Sequence, residues 1–122
     1  MMRDAVFLPL TMEAAGSCGS GLHTKAEAAN RAAADCWTAM VGDCDTTDRR
    51  TLILTLHDLS EATVISGRAA IGGMVQYRRV AEAEALIDEA VREGDGEEFA
   101  EALVGYDLAV ATVLSRLRSQ SA

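Results

Sequence analysis

"TLILTL", residues 51–56, admits two readings, and the choice between them decides the fold. Read as a strand, its alternation puts Leu52, Leu54 and Leu56 on one face. Read as a helix, it puts Leu52, Leu56 and Leu59 together, with Ile53 and Leu54 widening the buried face, and the helix starts in the turn "GDCDTTD" at residues 42–48. A strand here needs a partner, and the one candidate is "AVFLPL", residues 5–10, which Pro9 interrupts. Two strands make a weak sheet on their own. The helical reading therefore leads, and the expected class is all-α, with an α+β fold carrying a short strand at 51–56 as the alternative.

Composition points the same way. The chain has 122 residues, 49% of them hydrophobic but only 4% aromatic, with 22 alanines and a single proline. Alanine is the best helix former, and a core built from small side chains requires closely approaching elements. One domain is expected from this length.

Downstream of 51–56 lies "GRAAIGGM", residues 67–74. Gly67 and Gly72 have the spacing of a phosphate-binding P-loop, but Gly73 and Met74 stand where the lysine and the Ser/Thr would be. The small side chains of Thr63, Ser66, Gly67, Ala69 and Ala70 suit close helix packing, and the Gly72–Gly73 pair suits a turn. Without that turn a helix from Asp48 to Glu93 would run about 69 Å, far beyond a domain of this size.

Val80, Ala83, Ile87 and Ala90 form the stripe of the next helix, which stops at "GDG", residues 94–96. Asp95 with Glu98 has capping-box spacing. Phe99, Leu103, Tyr106, Val110, Val113 and Leu117 then follow as a heptad series. Upstream, Thr24 with Glu27 marks a helix start, and Ala26, Ala29, Ala33, Cys36 and Met40 line its face as far as Gly42. The expectation is a loosely ordered N-terminal arm, residues 1–23, followed by a four-helix up-down bundle, residues 24–122.

The formal net charge of −8 opposes phosphate backbones and excludes nucleic acid as the expected partner. No stretch approaches the roughly 18 apolar residues of a membrane span. Three cysteines cannot all pair within one chain, which suits a reducing cytoplasm, and ten arginines against one lysine suit a bacterial source. Cys18, His23, Cys36 and Cys44 are a conceivable four-ligand zinc set, but the spacing lacks the tight ligand pairs of zinc modules. His57 beside Asp58 matches the pair of HD-type phosphohydrolases, which need more histidines than the one other, His23. A buried or half-buried helix histidine is the plainer expectation for His57.

Asp58 with Glu61, and Glu98 with Glu101, each place two carboxylates at i,i+3 on one helix face. That local pattern resembles the helical nucleotide pyrophosphohydrolases of the MazG type, departing from it in the order of the acids and the length of chain between the pairs. The resemblance implies magnesium held by these four side chains.

The function expected first is a different one: a small acidic helical protein that binds protein as a regulator, adaptor or inhibitor and self-associates, with no cofactor. Its partner or dimer face is assigned to Phe99, Leu103, Tyr106, Val110, Val113 and Leu117, together with Gly67. In a variant of this reading the acidic surface imitates nucleic acid in a basic protein site. A magnesium-dependent all-α nucleotide pyrophosphohydrolase is the alternative.

Overall fold

Residues 51–56 are helical, and the pattern of burial shows why. Leu52, Leu56 and Leu59 are fully buried whereas Leu54 is 61% exposed, so the three leucines that a strand would align are separated. The Thr55 hydroxyl donates to the Thr51 carbonyl one turn back, at 2.9 Å. The computed structural model describes residues 6–16, 20–41, 46–66 and 74–121, and among them there are five helices and no strand: α1 (Pro9–Gly16), α2 (Ser20–Val41), α3 (Thr46–Ser66), α4 (Met74–Glu93) and α5 (Gly96–Ser121).

The chain reverses between α3 and α4. The Ser60 hydroxyl donates to Glu84 Oε1 at 2.7 Å, although in one continuous helix these residues would stand about 36 Å apart. Gly72 and Gly73, assigned to this reversal by the sequence, lie outside the described residues, as does Gly67, assigned to close helix packing. Helices α4 and α5 form an antiparallel hairpin, in which Arg79 lies level with Thr112 and Glu89 level with Glu101. The link between them is minimal. Gly94 takes a φ of 68°, where glycine carries no Cβ penalty, and the Asp95 and Gly94 amides donate to the carbonyls of Ala90 and Val91. Asp95 then caps α5 by accepting from the Glu98 amide at 3.1 Å, as the sequence spacing implied. Helices α2 and α3 also pack on each other, and Arg31 and Asp35 of the one line a hollow with Thr51 and Thr55 of the other.

Five helices replace the expected four because the arm is built into the fold. Leu8, Thr11, Ala14 and Ala15 are buried, and α1 lies on α2 and α5. The free amides of its first turn and of the two residues before it are satisfied from a distance: Asp107 on α5 accepts from Leu10 (3.1 Å) and Thr11 (2.7 Å), and Asn30 on α2 accepts from Phe7 (2.7 Å) and Leu8 (3.0 Å). No local spacing announces such a cap. Helix α2 also starts a turn earlier than Thr24. Burial of Leu22 extends its apolar face, and Glu27 faces His23 at 3.6 Å.

Aromatic side chains are few and gathered. Trp37 stacks on Phe99 with ring centroids 6.2 Å apart, and Phe7 meets it at 49°. A Cβ on Gly96 would come within 3.3 Å of the indole, so this helix start keeps room for the ring.

Candidate functional site

The heptad face assigned to a partner turns inward. Phe99, Leu103, Tyr106, Val110 and Val113 are all buried in the core of the single chain, which corrects their assignment to a docking surface. A stripe at heptad spacing is the same whether its cover is another chain or the chain's own helices, and here α1 to α4 supply the cover. The side chain of Leu117, and Gly67 altogether, lie outside the described residues.

Tyr106 has a polar role that periodicity does not reveal. Its hydroxyl donates to the Leu56 carbonyl at 3.0 Å and lies 2.8 Å from the Ser60 hydroxyl, which itself donates to Glu84. Burial pushes the phenol well above its ordinary pKa; the Glu84 carboxylate adds to this and the Ser60 hydrogen bond opposes it. His57 is exposed rather than buried or half-buried, held between Glu61 (3.7 Å) and Glu84 (3.5 Å).

The two carboxylate pairs are not assembled. Asp58 and Glu61 sit exposed on α3 beside His57, while Glu98 and Glu101 line a shallow hollow with Glu89 at the end of the α4–α5 hairpin. Among the described residues no three His, Cys, Asp or Glu side chains gather as metal ligands. The zinc set also fails on geometry. His23 and Cys36 belong to one helix and are thirteen positions apart, about 20 Å, too far to share an ion. Cys36 is a buried core thiol, and Cys18 and Cys44 lie outside the described residues.

What remains is the outer face of the α4–α5 hairpin. Leu86 is 57% exposed, Leu108 58% and Val104 68%, on helices whose inner faces already fill the core. Leu86 and Leu108 flank a hollow of about 310 Å³ floored by Ala83, Gly105 and Ala109, with Arg79, Glu82 and Thr112 towards one end. Leu86 also borders the second hollow, of about 270 Å³, with Glu89, Glu98 and Glu101, so the two form one groove along the seam of the helices. Gly105 is exposed, and a Cβ added there would meet nothing within 4 Å.

The groove is electrically polar along its length. At one end Arg79, which lines the hollow together with Glu82, forms no ion pair among the described residues. At the other, carboxylates crowd one another: Asp95 foremost, then slight desolvation, Glu93, Glu89 and Glu101, raise the pKa of Glu98 above the usual glutamate value. Sequence reading missed this face because Leu86, Val104 and Leu108 sit off the dominant stripes. Their signal was that α5 carries large apolar residues on two sides.

Among the described residues no helix is long and apolar enough to cross a membrane. Compared with protein-family models, with curated proteins and with solved structures, the chain matches none.

Proposed function

We propose that this chain acts by binding protein through the outer groove of the α4–α5 hairpin, as a regulator, adaptor or inhibitor working in the cytoplasm. In this reading α2 to α5 stand as an up-down four-helix bundle braced by α1, and the bundle's task is to hold that face rigid. One observation carries it: two large aliphatic side chains, Leu86 and Leu108, are left more than half exposed around a concave seam lined by Gly105, and Val104 is exposed on α5 one turn before Leu108. A single exposed leucine is ordinary, whereas a contiguous apolar groove with charged ends is the form taken by helix-binding and subunit surfaces. The carboxylate pairs offer no comparable support for hydrolysis, because they lie on different faces.

The test compares capture by the tagged wild-type chain with capture by a folded Leu86→Asp/Leu108→Asp variant, at low and moderate salt. The reading expects a stoichiometric protein, foreign or a second copy, retained by the wild type and lost by the variant. Equal capture by both sinks it. Loss of the captured protein at moderate salt would mark the acidic end as the dominant contact and favour imitation of nucleic acid within this reading.

A further inference from the structure

The groove's own chemistry names its occupant. Resting on the protein-binding reading above, we propose that a second copy of this chain docks on the α4–α5 face, around a two-fold axis lying in the plane of that face and perpendicular to the helices. Three observations converge on this.

The first is the glycine. Gly105 lies in the interior of α5, where glycine costs about 1 kcal/mol relative to alanine, and among the described residues none comes close enough to exclude a Cβ there. An open position flanked by Leu86 and Leu108 is a hole without a knob. The second is charge. Arg79 and Glu89 mark opposite ends of the seam on α4, about 15 Å apart. Two faces packed together can be related by a two-fold along the helices or across them. The axis along the helices sets Glu89 against the partner's Glu98 and Glu101, adding acid to an end already overcrowded with it. The axis across the helices reverses the seam, so that Arg79 meets the partner's Glu89 on each side. The same operation carries Leu108 to the level of the partner's Gly105, filling the hole in both directions at once.

The third is area. Two helices about 10 Å wide and about 30 Å long present about 600 Å² per copy, or about 1,200 Å² in the pair, the lower edge of specific interfaces. A dimer of moderate affinity follows, sensitive to single substitutions.

Sedimentation equilibrium of the purified protein across a dilution series tests this, with circular dichroism to establish that each variant is folded. The wild type is expected to dimerise, and Gly105→Leu, which fills the hole from within its own chain, to remain a folded monomer. Arg79→Glu and Glu89→Arg are each expected to weaken association at least about tenfold, since a two-fold interface meets every change twice, and their combination to recover most of it. A dimer strengthened by Glu89→Arg overturns the axis, because only the other axis sets Glu89 against acids. A dimer indifferent to Gly105→Leu overturns the interface. A wild type that stays monomeric, while Leu86→Asp/Leu108→Asp still abolishes capture of a foreign protein, overturns the second copy and leaves the protein-binding reading standing. If both measurements are negative, both readings fall.

Discussion

Replacing Asp107 by Asn asks whether α1 is held as an integral helix or merely rests on the surface. The carboxylate accepts two amides of the α1 start, from Thr11 at 2.7 Å and Leu10 at 3.1 Å, in a buried position. A hydrogen bond to a charged acceptor contributes about 1.5–3 kcal/mol, and a neutral one about 1 kcal/mol. Asparagine keeps one oxygen for one amide and turns an NH2 group towards the other, so one bond weakens and one is lost. The expected cost is about 2–4 kcal/mol, a large part of the 5–15 kcal/mol that holds a domain folded. The loss has a ceiling, since α1 can undock once its capping costs more than burial of Leu8, Ala14 and Ala15 returns. Urea unfolding measures the total, and hydrogen exchange at residues 11–15 reports undocking. Thr11→Val, which removes only the hydroxyl donated to the Asp107 carbonyl at 3.1 Å, should cost about 1 kcal/mol. An Asp107→Asn loss below about 0.5 kcal/mol, with these amides as protected as in the wild type, would refute the reasoning.

Further outcomes follow from the same geometry. Tyr106→Phe should lose about 1–1.5 kcal/mol by urea unfolding through the bond that its hydroxyl donates to the Leu56 carbonyl. Because burial raises the Tyr106 pKa, the fold is fully supported below the ordinary phenol value, about 10, and loses that support as pH rises beyond it; in a Tyr77→Phe background, phenolate absorbance should appear only above the usual range or with unfolding. Gly96→Ala should cost about 1 kcal/mol despite alanine's better helix propensity, because its Cβ meets Trp37 at 3.3 Å, and the near-ultraviolet dichroism of this one tryptophan should change. The Glu98 carboxyl, followed by carbon-detected NMR, should titrate above the ordinary glutamate value and fall towards it in 1 M salt, where the screening length is about 3 Å. Its raised pKa means that mutual repulsion is absent at low pH and weighs against the fold as pH rises through that pKa.

Much of the fold was legible because it rests on local rules. The stripe Leu52, Leu56, Leu59, the stop at Gly94 and the cap at Asp95 each follow from spacing within one or two turns, and the structure contains all three. The fifth helix was not legible for the opposite reason. Its capping group is Asp107, nearly a hundred residues downstream, and a Pro-containing segment next to a glycine-rich run has no local signature of a docked helix. The zinc set illustrates a third case. His23 and Cys36 are compatible in a list of ligand types and incompatible once both are known to share α2.

The heptad stripe was read as a partner face because of a property of α5 itself. A helix with one apolar stripe has one neighbour to find, and Phe99, Leu103, Tyr106, Val110 and Val113 find theirs inside the chain. Val104 and Leu108 point the other way, four residues apart, with Gly105 between them. Stability of the isolated chain favours alanine at 105 and polar residues at 104 and 108, and the sequence departs from that preference at all three positions. If the groove is vacated for a partner, stability and association must respond to Gly105→Ala with opposite signs: the monomer should gain about 0.5–1 kcal/mol by thermal or urea unfolding, while the dimer, its hole partly filled, should weaken. A substitution that raised both would mean that Gly105 serves neither, and the second copy would have to be sought on another face.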